Sequence, residues 1–200
     1  VGGDYYDLIP LAEENYCAAI ADVSGKGVPA SLLMANLQAF LKSITKFDLP
    51  MDQATAMMND LVSENTSDGR FITFFWTILD DKHKCLKYVN AGHNPPLLVR
   101  DNTISYLTEG GMIFGVMKTM FPYKMAEVNL QSGDVLVLFT DGVTEAKSVK
   151  DEEYSDERLE QLILKHAANT PQEIVDAILA DLRVFTLNEP QSDDITLIVI

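Results

Sequence analysis

Acidic side chains recur at a few well-defined places in this chain. Asp4 stands in GGDYYD, Asp22 in ADVSGKG, Asp141 in FTDGVTEA, and Asp193 and Asp194 in SDDITLIVI. Asp22 and Asp141 each end an apolar run and precede a glycine-containing turn, whereas Asp193 and Asp194 open the last apolar run. A strand that ends beside a glycine turn sets its last side chain at a rim and lets backbone come close to a ligand. If these strands share a sheet, the carboxylates converge at one edge. Hard oxygens with no His or Cys beside them suit Mg2+ or Mn2+ rather than Zn2+. Against this, an aspartate next to glycine is the commonest turn chemistry, so any one of these sites alone reads as a turn. The residues support a group of acids able to form a metal site, and they go no further.

Other chemistries find little support. Ser24 to Gly27 is not a phosphate-binding P-loop, because the GxxxxGK[ST] spacing is missing. There is no GxSxG, no dinucleotide fingerprint and no defensible Cys–His pair. His93 in NAGHNPP reads as a turn-stabilising residue, and His83 and His166 read as surface residues. Lys26 is either solvated or turned to an anionic substrate. Cys17 and Cys85 lie in apolar segments and read as buried structural thiols. Two cysteines are too few for a disulfide framework, so a reducing, cytoplasmic setting is expected.

The positioning elements follow from pattern. VGGDYYDLI and NYCAAIADV read as strands, and Pro29 suits the first turn of a helix carrying Leu33, Leu37, Phe40, Leu41 and Ile44. A second helix after Pro50 is expected to bury Ala54, Met57, Met58, Leu61 and Val62 as core rather than as a groove. FITFFWTIL and KCLKYVNAG flank DDKHK as a hairpin, and NPPLLVR, TISYL, YKMAEVNL and DVLVLFT follow as strands. Ser155 is a candidate cap for a helix with Leu159, Leu162 and Ile163. Thr170 and Glu173 fit a capping box for a helix with Ile174, Ile178, Leu179 and Leu182, and ITLIVI is the last strand. Strands and helices do not alternate singly, so a doubly wound parallel sheet is disfavoured. The expected fold is α+β, two mostly antiparallel sheets packed together with a helix pair on each outer face.

The chain has 200 residues, with 15 basic against 30 acidic side chains and a net charge of −15. That length fits one domain, here spanning residues 1–200. The charge excludes a phosphate-backbone binder, so no nucleic-acid partner is expected. No apolar run approaches the ~20 residues that a bilayer crossing needs. The first residue is Val1, inside what reads as a structured motif, so the chain is expected to be part of a longer protein.

GGDYYD, ADVSGKGVPASLLMA, NAGHNPPLL, FTDGVTEA and DDITLIVI, in this order, resemble the bacterial SpoIIE/RsbU-type branch of the metal-dependent, type 2C-like serine/threonine protein phosphatases. The resemblance implies an α-β-β-α sandwich and hydrolysis of phosphoserine or phosphothreonine on proteins, with two Mn2+ or Mg2+ ions and a water between them. It implies that Asp22 bridges the metals, that the carbonyl of Val23 is a backbone ligand, and that Asp141 and Asp193 serve one metal while Asp4 lies near the other. Asp194 is implied as a supporting residue, with Gly25, Gly27 and Gly142 as turn glycines that let backbone approach the ions. Asp22 and Asp141 are the acids on which turnover is expected to depend.

By the same resemblance, the partner is a phosphorylated anti-sigma-factor antagonist in a partner-switching stress or sporulation pathway. An upstream sensor or activator is expected too, along with a strand before GGD that is absent from this sequence. The helical segment from Pro29 to Thr66 is the implied switch. No basic residue is assigned to the substrate phosphate, so the substrate-binding residues stay open. Two alternatives share the fold: a catalytically silent regulatory module, and a hydrolase of small phosphate esters.

Overall fold

The structure, a computed structural model, describes residues 2–200 apart from Glu13, Ser67, Asp68, Asn188, Pro190 and Ser192. It divides into two compact units, Val1–His93 with Thr108–Leu130, and Asn94–Leu107 with Gln131–Ile200.

The first unit contains β1 (Tyr5–Pro10), β2 (Asn15–Val23), α1 (Val28–Ile44), α2 (Met51–Asn65), β3 (Ile72–Asp80) and β4 (Cys85–Ala91). After the chain visits the second unit as β5 (Leu97–Arg100) and β6 (Thr103–Tyr106), it returns as β7 (Gly110–Gly111) and β8 (Ala126–Asn129). The sheet runs β1-β2-β3-β4-β7, and β8 also pairs with β4. All its pairings are antiparallel except β4 with β7. Along β2 the side chains alternate as the pleat requires. Cys17, Ala19, Ala21 and Val23 join the core with Leu33, Leu37 and Leu41 of α1, and Ala54, Met58 and Val62 of α2. Ala18, Ile20 and Asp22 therefore lie on the other face.

The second unit completes the fold with β9 (Val135–Phe139), α3 (Asp141–Thr144), α4 (Asp156–His166), α5 (Pro171–Thr186) and β10 (Leu197–Val199). Its sheet has the order β10-β9-β5-β6 and is antiparallel throughout. Leu97, Val99, Val137 and Phe139 share a core with Leu159 and Ile163 of α4, and Ile174, Ile178 and Leu182 of α5. Fully burying each such side chain stabilises the unit by roughly 1.5–3 kcal/mol before chain entropy is set against it. Arg158 lies between the rings of Tyr154 and Phe185, 5.2 and 4.9 Å from their centroids, and binds Asp181. The mixed α+β character and the helix pair on each sheet are as expected from the sequence.

Three local expectations need correction. Met57 is exposed, and the buried face of α2 instead runs through Met51, Ala54, Thr55, Met58, Asn59 and Val62. A 3.6-residue period carries position 57 to the flank of a stripe that includes 51, 55, 58 and 62. Ser155 sits at the N-cap of α4 but makes no capping bond, because its φ of 72° is left-handed. The last strand is shorter than ITLIVI and covers only Leu197–Val199. The capping box of Thr170 and Glu173 forms as read, and Cys17 and Cys85 are buried and free.

Candidate active site

In the first unit, β1 and β2 pair Tyr5 with Ala21. Continued past Tyr5, this register would set Asp4 opposite Asp22 and Gly3 opposite Val23. Gly3 is needed there: a Cβ at that position would stand 2.7 Å from the Val23 carbonyl oxygen. Asp22 is half-buried at the end of β2, directly across from Thr73 of β3. Thr73 in turn meets Nδ1 of buried His93 at 2.9 Å. Asn90 fixes the His93 turn from both sides, its Oδ1 accepting from His93 N (2.8 Å) and its Nδ2 donating to His93 O (3.0 Å). The turn role read for His93 is thus present, and its ring also reaches the row that contains Asp22.

Beyond Val23 the chain turns through Gly25 and Gly27, with φ of 88° and 81°, into the start of α1. Both glycines fit the turn role expected of them. The turn is clamped by Ser24, whose N–H donates to Phe71 O (2.9 Å) and whose Oγ accepts from Phe71 N (2.8 Å). That clamp brings Arg70 to the Asp22 loop, with its Nε 3.9 Å from where a Cβ on Gly25 would lie. Nothing in the spacing of Arg70 from Asp22 announces this contact in the sequence. Lys26 is exposed.

In the second unit, Asp141 is the first residue of the short helix α3 rather than part of a turn, and Gly142 is helical too. The demand on Gly142 is close approach: an added Cβ would lie 2.9 Å from the Asp194 carbonyl carbon and closer still to its oxygen. The 193–196 segment is laced to this helix start. Thr140 N donates to Thr196 O (3.1 Å), and Thr196 N donates to Thr140 Oγ1 (3.1 Å). Asp193 Oδ1 accepts from Asp194 N at 2.9 Å. Asp193 lies in this loop, four residues ahead of β10, and Ser192 of the SDD motif lies outside the described residues. Burial raises the Asp141 carboxyl above the usual carboxylate range, and the Asp193 charge pushes it the same way; the backbone N–H of Gly142 pulls it back.

Asp4, Asp22 and Val23 are thus neighbours in the first unit, and Asp141, Asp193 and Asp194 in the second. Among the described residues, no three His, Cys, Asp or Glu side chains form a group that could hold a metal ion. The donor chemistry nevertheless fits Mg2+ or Mn2+. All the donors are hard oxygens, and Mg2+ usually keeps several waters and takes only one or two carboxylates. The Asp193 charge also opposes ionisation of Asp141, and a bound cation would offset that repulsion.

Comparison with known proteins identifies the family of the chain. The family profile "Stage II sporulation protein E (SpoIIE)" matches residues 12–200. Phosphoserine phosphatase RsbU of Bacillus subtilis is 36% identical over 208 residues, covering 100% of this chain and 59% of that protein. The PP2C phosphatase domain of SpoIIE from Bacillus subtilis, solved with a fragment of its regulatory domain, superposes with a TM-score of 0.85 at 25% identity. It covers 100% of this chain and 58% of that one. The SiaA-PP2C domain of Pseudomonas aeruginosa shares the fold with a TM-score of 0.86 at 22% identity, over 100% of this chain and 80% of that one. The chain therefore spans less than two thirds of RsbU. It belongs to the SpoIIE family of PP2C-type serine/threonine protein phosphatases.

Proposed function

We propose that this chain is the catalytic part of a metal-dependent protein phosphatase that removes phosphate from phosphoserine or phosphothreonine on a partner protein. One observation carries the reading: Asp4, Asp22, Asp141 and Asp193 all stand at or close to the ends of paired strands, in a chain of this family. Asp4, Asp22 and the Val23 carbonyl from the first unit, and Asp141 and Asp193 from the second, are the proposed ligands of two Mn2+ or Mg2+ ions. Asp194 supports Asp193 through its backbone. Bound divalent ions would supply the positive charge and water activation that a phosphate monoester needs, since its own oxygens repel an attacking nucleophile.

The chain's own residues supply the rest. Ser24 and Phe71 fix the loop after Asp22, and Arg70 beside that loop is the proposed partner of the substrate phosphoryl oxygens. A guanidinium suits them through paired, charge-assisted hydrogen bonds. The proposed substrate is a phosphorylated anti-sigma-factor antagonist in a cytoplasmic partner-switching pathway, with a sensor or activator acting from outside this segment. No helix among the described residues is long and apolar enough to cross a membrane.

The test is phosphate release with Mn2+ from a phosphoserine protein, compared with p-nitrophenyl phosphate and with Asp22→Asn. Release from the phosphoprotein that is lost in Asp22→Asn supports the proposal. Release from the small ester alone points to a small-molecule hydrolase, and release from neither points to a regulatory module.

A further inference from the structure

Between β7 and β8 the chain leaves the first sheet carrying six large apolar side chains that water still reaches. They are Met112, Val116, Met117, Met120, Phe121 and Met125, with Met120 72% and Phe121 77% exposed. Single exposed hydrophobics are ordinary, but a run of this density marks a surface that meets something. The segment is also held firmly. Asn59 of α2 is fully buried; its Nδ2 donates to Met117 O and Thr119 Oγ1, and its Oδ1 accepts from Gly115 N, each at 3.0 Å. Asp60 accepts from Thr119 N at 2.7 Å, and buried Tyr123 donates its hydroxyl to Met112 O at 2.8 Å. Much of the ordering cost that a partner would otherwise impose is therefore already met in the free protein.

Its place is informative as well. Phe114 exchanges backbone hydrogen bonds with Ile72, 2.9 Å each way, and Ile72 pairs with Val23. A Cβ on Gly115 would lie 3.2 Å from the carbonyl oxygen of Arg70. The segment is thus rooted at the same strand ends as Asp22 and Val23. Residues 112–125 carry no acid and two lysines, of which Lys118 pairs with Glu64 at 2.7 Å, in a chain of net charge −15. A protein presenting a phosphoserine brings negative charge to this rim, where most of the surface would repel it and this segment would not.

We infer that residues 112–125 form the docking platform for the phosphoprotein substrate, receiving an apolar patch of its folded surface beside the phosphoserine. This rests on the phosphatase reading above. Methionine suits the role, because its unbranched, polarisable side chain adapts to an irregular partner. A small aryl ester has no surface to place there, so the platform governs protein substrates alone.

Met120→Ala combined with Phe121→Ala tests the inference, since both side chains are exposed and their loss leaves the core intact. The substrates are the serine-phosphorylated anti-sigma-factor antagonist of the same organism and p-nitrophenyl phosphate, at saturating Mn2+. The expected result is a KM for the phosphoprotein raised about tenfold or more, as for the loss of central interface contacts. Its kcat, both constants for the small ester and the melting temperature should stay close to wild type. An unchanged phosphoprotein KM, or an equal loss on both substrates, overturns the inference. So does a change in sedimentation with KM unchanged, which would make the patch a self-association surface. Wild-type protein that hydrolyses the small ester but not the phosphoprotein would overturn the phosphatase reading itself, and the inference with it.

Discussion

Gly142→Ala should damage the candidate site without touching any carboxylate. The added methyl would stand 2.9 Å from the Asp194 carbonyl carbon, with the carbonyl oxygen nearer still. Ordinary carbon–carbon contact is roughly 3.5–4.0 Å, so either α3 or the 193–196 segment must retreat by about 1 Å. Neither moves freely, because Thr140 and Thr196 are tied by one backbone hydrogen bond and one to the Thr140 hydroxyl, and Thr140 precedes Asp141 directly. Overpacking of this kind costs about 1–3 kcal/mol, partly offset by up to ~1 kcal/mol of helix propensity gained over glycine. At roughly 2–4 °C per kcal/mol, the melting temperature should fall by only a few degrees. The kinetic effect should be far larger, since displacing a catalytic group by about 1 Å can cost on the order of a hundredfold in rate. Calorimetric titration of Mn2+, turnover and thermal melting, measured on one preparation, separate the two effects. Wild-type Mn2+ affinity and turnover in Gly142→Ala would refute the reasoning, because Asp193 would then not depend on this packing.

Further expectations can be checked independently. Asp193→Asn should weaken Mn2+ binding more than Asp194→Asn in calorimetric titration, and the reverse order would reassign the ligand. Arg70→Ala should raise the inhibition constant of inorganic phosphate by roughly ten- to a hundredfold, the worth of a charge-assisted hydrogen bond, with Mn2+ affinity unchanged. Unchanged phosphate inhibition would remove Arg70 from the site. The Arg100 hydrogen bonds hold the Asp134 carboxyl below the usual carboxylate range. Its contribution to stability is therefore present above the ordinary carboxylate pKa and lost as pH falls through the depressed one. Arg100→Gln should lower the urea midpoint at neutral pH and converge with wild type in acid; a gap that persists in acid would show a pH-independent packing loss instead.

Much of the architecture was legible because it rests on local patterns. DDKHK between two apolar runs specified the β3–β4 hairpin, and Thr170 with Glu173 specified the start of α5. Both are short-range devices that depend on nothing distant. The acids were legible as motifs, but not their supports. Asp193 sits in a loop ahead of β10, and that loop is tied to the start of α3 by hydrogen bonds between Thr140 and Thr196, which are far apart in sequence. Arg70 reaches the Asp22 loop only through the Ser24–Phe71 clamp. β7 is two glycines with no apolar alternation to reveal it. Met57 and Met58 look alike in sequence, and only the phase of the helix decides which is buried.

Whether these aspartates hold divalent cations is tested, without any substrate, by thermal melting with and without Mn2+. Binding to the folded form alone stabilises it by RT ln(1 + [L]/Kd), about 2.7 kcal/mol at a hundredfold excess over Kd. For a chain of this size that corresponds to roughly 5–10 °C. Wild-type protein should show a shift of this order, and Asp22→Asn should lose nearly all of it. An equal shift in both would place the metal elsewhere on this acidic surface and contradict the site.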